Sequence, residues 1–160
     1  MNGLRRLPLL LVWTLMACAP TLDWRDVRPA GSTVVVMFPC KPASHARQVL
    51  LADRKVELTL FACTAGDATY ALAYADMREP AEVSAALAAL KTSAWANVRA
   101  VSPVATQPLQ QSGMTPNAQA VRWQTPGQLP NGQAVQEAGA VFAHGTWVYQ
   151  ATVIGARLDE

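Results

Sequence analysis

TYALAYADMREPAEVSAALAALKTSAWANV, residues 69–98, decides the fold class, because its hydrophobic period changes partway along. Tyr70, Leu72 and Tyr74 alternate with small residues, the period of two that puts successive side chains on opposite faces of a strand. Beyond Pro80 the apolar residues Val83, Leu87, Leu90, Ala94 and Val98 recur at three and four, which predicts a long amphipathic helix over about 80–97. Pro80 suits a first helical turn, and Glu79 and Glu82 suit its positive end. Ala85, Ala86, Ala88 and Ala89 are small enough to let that helix lie close to a sheet.

Strand signals flank this unit on both sides. Residues 33–38 are a β-branched run that Pro39 ends, and residues 41–46 suggest a loop. Residues 48–52 and 55–62 predict a hairpin around Asp53 and Arg54. In its second arm Val56, Leu58, Leu60 and Ala62 share one face, and Glu57, Thr59, Phe61 and Cys63 the other. Residues 102–117 carry three prolines, three glutamines and one glycine, the composition of a long loop. Residues 119–124, 133–143 and 146–155 predict strands, with turns at Asn131-Gly132 and His144-Gly145. Trp147, Tyr149, Ala151 and Val153 would line one face of the last. The order gives an α+β class: one antiparallel sheet of about six to seven strands with the long helix packed on it.

The chain has 160 residues, of which 51% are hydrophobic and 15% charged, which excludes global disorder and fits one domain. Its formal charge is +2. Arg5 and Arg6 precede an apolar run, Leu7 to Met16, that is too short to span a bilayer, which needs about 20 residues. The run ends in Leu15-Met16-Ala17-Cys18, which resembles the bacterial lipobox. The resemblance implies cleavage before Cys18 and acylation of that cysteine, with Met16 departing from the family's commonest residue there. An ordinary cleaved signal peptide is the alternative. The expected organisation is a signal peptide at 1–17, a lipidated cysteine and tether at 18–31, and one α+β domain at 32–160. One acyl chain holds a membrane only marginally, so the family's three chains imply a permanent anchor. Ala19, rather than aspartate, follows the cysteine, which by the same resemblance favours the outer membrane, with the domain facing the periplasm. Losing Arg5 and Arg6 brings the 13 Lys+Arg level with the 11 Asp+Glu, so the mature domain is formally neutral. That removes the hint of an acidic partner, and the compartment and the lack of a basic stripe argue against nucleic acid.

Cys40 and Cys63 remain. Two thiols in an oxidising compartment usually pair, which predicts a structural disulfide. Zinc would want closely spaced pairs or histidines, and a redox pair would want Cys-x-x-Cys; neither occurs. Phe38-Pro39-Cys40-Lys41-Pro42, the strand Tyr70 to Asp76, and the late hairpin of Ala140 to Phe142 with Thr146 to Val153 resemble the extracytoplasmic PsbP-like α/β/α sandwich. That family closes its sheet with a C-terminal helix, for which this sequence has no counterpart after residue 155. The expectation is a sheet face left bare, exposing Trp147 and Tyr149 to a protein partner or a second copy, with the long loop from Ser102 folded back over it as the alternative.

Few chemistry-bearing motifs occur in the sequence. There is no nucleophile elbow, P-loop or dinucleotide fingerprint. His45 and His144 are expected in a loop and a turn, and no metal or cofactor site is expected. Asp76, Glu79 and Glu82 suggest an acidic helix start more readily than a cation site. Trp95, Trp123, Trp147 and Tyr149 are candidates for ligand stacking or an interface, against plain core packing. Arg122 and Glu137, the only charges between residues 100 and 156, are candidates for a cross-strand pair. The resulting expectation is a non-enzymatic, membrane-anchored envelope lipoprotein acting as an interaction or assembly-accessory module. The alternative is a periplasmic small-ligand binder with an aromatic-lined pocket, and a hydrolase comes last.

Overall fold

The computed structural model describes residues 22–32 and 34–158. The expected signal peptide and lipidated Cys18 lie outside the described residues. Among the described residues nine strands and one helix follow in the order β1 (Arg25–Val27), β2 (Val36–Phe38), β3 (Ala43–Leu51), β4 (Arg54–Ala65), β5 (Ala68–Asp76), α1 (Val83–Asn97), β6 (Thr106–Pro108), β7 (Val121–Gln128), β8 (Ala134–His144) and β9 (Trp147–Gly155). A 3-10 turn, Pro80–Glu82, leads into α1, so the helix occupies the stretch that the change of period predicts.

Seven strands form one antiparallel sheet in the order β3-β4-β5-β9-β8-β7-β6. The β3–β4 turn is made by Ala52 and Asp53, both left-handed at φ 47° and 64°, as a tight two-residue hairpin requires. The chain leaves the sheet after β5, crosses it as α1, and returns at the far edge as β6. It then winds back through β7 and β8 to lay β9 against β5, with Tyr74 opposite Tyr149. Three short segments differ from the expected strands. β3 begins at Ala43 rather than residue 48, because Ala43 to Gln48 is an exposed edge whose polar residues give no period. β6 is a three-residue edge strand inside the expected loop. β2 pairs only with β1, as a separate two-stranded sheet, so the segment expected as a tether contains a strand of its own.

The alternation sorts the side chains into two cores. One face of the sheet meets α1 through Val56, Ala75, Met77, Val121, Trp123, Val141 and Val148, against Val83, Leu87, Leu90 and Ala94. The other face carries an aromatic row across four strands. Phe61 stacks on Tyr74 with centroids 5.7 Å apart, Tyr74 lies 6.3 Å from Tyr149, and Tyr149 stacks on Phe142 at 4.9 Å.

This second face is not bare, contrary to the expectation from the sequence. The N-terminal strap, residues 22–32 and 34–38, lies over it, and Phe38 joins Leu72, Tyr74 and Tyr149 in its core. Tyr149 is wholly buried and Trp147 half-buried. Three attachments hold the strap. The backbone N–H of Ala30 donates to the Tyr74 hydroxyl at 3.2 Å. Ser32 Oγ and the Tyr149 hydroxyl share a hydrogen bond. Burial raises the Tyr149 phenol above its ordinary pKa, so it stays neutral there. The disulfide Cys40–Cys63, with Cα atoms 6.0 Å apart, then fastens the end of the strap to β4. Closing that loop removes denatured-state entropy worth about 3 kcal/mol.

A first expected result follows from the two hydroxyls. Tyr74→Phe combined with Tyr149→Phe should cost about 2 kcal/mol, at roughly 1 kcal/mol per lost hydrogen bond. Amide exchange of residues 29–32 should quicken while α1 stays protected. Unchanged exchange in the strap would show that the hydroxyls do not hold it.

Candidate functional site

The aromatic residues singled out from the sequence do not form one site. Side chains on β7 and β9 alternate independently, and the register places Trp123 on the helix side and Trp147 and Tyr149 on the strap side. Trp123 is core: its ring meets Trp95 edge-on at 5.9 Å and 84°. Its Nε1 donates to Glu137 Oε1 at 3.0 Å. Gly139 makes room for it, since a Cβ there would sit 2.3 Å from the ring.

Arg122 and Glu137 do not pair. Arg122 lies opposite Ala140 and points to the strap side, where its Nε donates to Gln107 Oε1 at 3.1 Å. Glu137 lies opposite Thr125 on the helix side, and is 1% exposed. Its second oxygen has no hydrogen-bond partner, and neither has the buried Nε1 of Trp95. Burial pushes the Glu137 carboxyl up to about 7, only partly offset by the Trp123 hydrogen bond.

Among the described residues no group of three or more His, Cys, Asp or Glu is placed to hold a metal ion. Asp76 is occupied otherwise: its Oδ1 accepts from Arg78 N–H at 2.9 Å and from Thr146 Oγ1 at 2.6 Å. No helix among them is long and apolar enough to cross a membrane.

The hollows on the strap side include two of contrasting character. One, of about 540 Å³, is an apolar groove between Val34 to Met37 and the loop around Gln111 to Met114, floored by Phe142. The other, of about 450 Å³, is polar and sits where the β3–β4 turn meets the end of β5. Arg54, Lys55 and Arg78 line it together with Glu57 and Asp76, and Tyr74 and Trp147 form its aromatic wall. Among the described residues none of its three cations forms an ion pair. Arg78 adopts φ 62°, the left-handed region that a non-glycine residue enters at some cost. The Asp76 hydrogen bond to its N–H holds that turn.

This charged set is not legible in the sequence, because its members lie at the start of β4 and around the end of β5, far apart along the chain. The usable signal was the hairpin register: the pairing of Thr59 with Tyr74 carries Lys55 toward Arg78. The wall is fixed from outside by the strap. Ala30 lines the cavity and is tied to Tyr74, while Gly31 comes close to the Trp147 ring, where a Cβ would be 3.0 Å from it. Comparison of the chain with protein-family models, curated proteins and solved structures returns no match.

Proposed function

We propose that the protein is a non-enzymatic, lipid-anchored envelope protein that binds a small polar ligand in the cavity between the β3–β4 turn and β5. One observation carries this: a hollow of about 450 Å³, within the size range of small-molecule sites, on which cationic, acidic and aromatic side chains converge. The covered aromatic face supports the same choice, since it withdraws the broad bare surface on which a protein partner was expected. The anchor at Cys18 and an outer-membrane location facing the periplasm belong to the proposal through the lipobox resemblance.

Trp147 lines the cavity, so occupancy should change its fluorescence. Screened against envelope metabolites, the full chain should show a saturable fluorescence change and a raised melting temperature with at least one compound class. Flat profiles across the whole panel would remove the ligand function. The groove beside Met37, which is 61% exposed, favours a second function as an interaction or assembly-accessory module. Crosslinking in intact envelopes should then recover one specific protein through Met37 variants carrying a photoreactive side chain, and repeated recovery of none would count against it.

A further inference from the structure

We propose that the polar cavity takes a small oxyanion, with a carboxylate or phosphate head group seated by Arg54, Lys55 and Arg78. This rests on the ligand-binding function proposed above and adds the chemical class.

The charge bookkeeping of the cavity favours an anion. Five charged side chains line it, three positive and two negative, so its net sign is positive although the mature chain is formally neutral. Glu57, like the three cations, has no ion-pair partner among the described residues, but Asp76 differs. Asp76 spends one oxygen on Thr146 Oγ1 and the Arg78 amide, so its charge is already partly satisfied. Arg54, Lys55 and Arg78 have no ion-pair partner among the described residues. Like charges gathered around one concavity repel each other and are relieved by a counter-charge, and low-dielectric walls focus that field into the hollow. A guanidinium presents a planar fork of donors that matches the two oxygens of a carboxylate or phosphate, and two of the three cations are arginines.

The cavity is also built in advance. Arg78 is held left-handed by the Asp76 hydrogen bond, a strained conformation of the kind that gathers at ligand clamps. Tyr74 and Trp147, with centroids 5.8 Å apart, are held on the far side by Ala30 and Gly31 of the strap. A ligand therefore meets a wall already ordered, which lowers the entropy cost of binding.

Calorimetric titration of the full chain tests this with four probes: citrate, benzoate, inorganic phosphate and neutral N-acetylglucosamine. At least one anion should bind one-to-one and weaken as salt is raised, since the cations are exposed to screening. Arg54→Gln and Arg78→Gln should each weaken it about tenfold or more, the loss of one charge-assisted hydrogen bond. Arg78→Lys should recover part of the loss. Arg47→Gln removes a cation outside the cavity and should change nothing. Phosphate binding without citrate or benzoate assigns a phosphate head group, and the reverse assigns a carboxylate. If only N-acetylglucosamine binds, and Trp147→Ala abolishes it, the anion class is overturned while the ligand-binding function stands. Anion binding that is indifferent to Arg54→Gln and Arg78→Gln overturns the site. Binding of none of the four overturns the oxyanion proposal, and the metabolite screen then decides the ligand function separately.

Discussion

Trp123→Ala is expected to lower the unfolding free energy by about 4 kcal/mol, the range for truncating a large buried aromatic. The ring is 4% exposed and sits at the centre of the helix-side core, between Trp95 on α1 and Gly139 on β8. Three losses coincide in the variant. The transfer free energy of the indole goes, a cavity remains beneath the end of α1, and Glu137 loses its one hydrogen-bond donor. The third loss separates this site from an ordinary core position. Trp123→Phe restores most of the volume without the N–H, so it should recover part of the stability and leave the carboxyl bare. Gly139→Ala approaches the same ring from the other side and should cost about 2 kcal/mol by overpacking. Urea unfolding measures all three. A loss under about 1 kcal/mol for Trp123→Ala would mean that the helix-side core is not organised around this ring.

The period-two and period-3.6 signals were strong where one face is buried and the other is not. β7 and β8 alternate in this way, whereas β5 and β9 are buried on both faces and show the period through large side chains alternating with smaller ones. The residues expected to share a face in β4, β5 and β9 do so. The helix over residues 80–97 follows for the same reason. What stayed hidden depends on register and on non-local contacts. Arg122 and Glu137 sit on adjacent strands, but only an odd shift of the β7–β8 register would bring them to one face, and a single-residue slip inverts every side chain. The strap was illegible because Pro29, Gly31 and Pro39 break its period, while its attachments are two tyrosine hydroxyls more than forty residues away. The disulfide was legible from counting, because setting Cys18 aside as the expected lipidation site leaves only Cys40 and Cys63. The charged cavity needed the β3–β4 turn, the end of β5 and Trp147 to be assembled first.

Glu137 gives the second large effect, a stability that falls as pH rises. Its folded-state pKa is raised from 4.5 to about 7, mainly because burial penalises the charged form. Below 4.5 the carboxyl is neutral in both the folded and unfolded chain, and no penalty applies. Between 4.5 and about 7 the unfolded chain ionises first, so the folded state holds more protons and loses relative stability with each step upward. Above about 7 both states are ionised and the penalty is complete, at about 3 kcal/mol. Other carboxylates titrate in the same window, so the comparison must be with Glu137→Gln, which keeps an oxygen for Trp123 and cannot ionise. Its unpartnered amide adds a cost that does not depend on pH. The stability of the native protein minus that of the variant should therefore drop by about 3 kcal/mol between about pH 4 and pH 8, with its midpoint between the two pKa values. A difference that stays flat over that range would mean that Glu137 ionises as readily in the fold as out of it. Its second oxygen must then be solvated or paired, against the geometry that leaves it alone beneath α1.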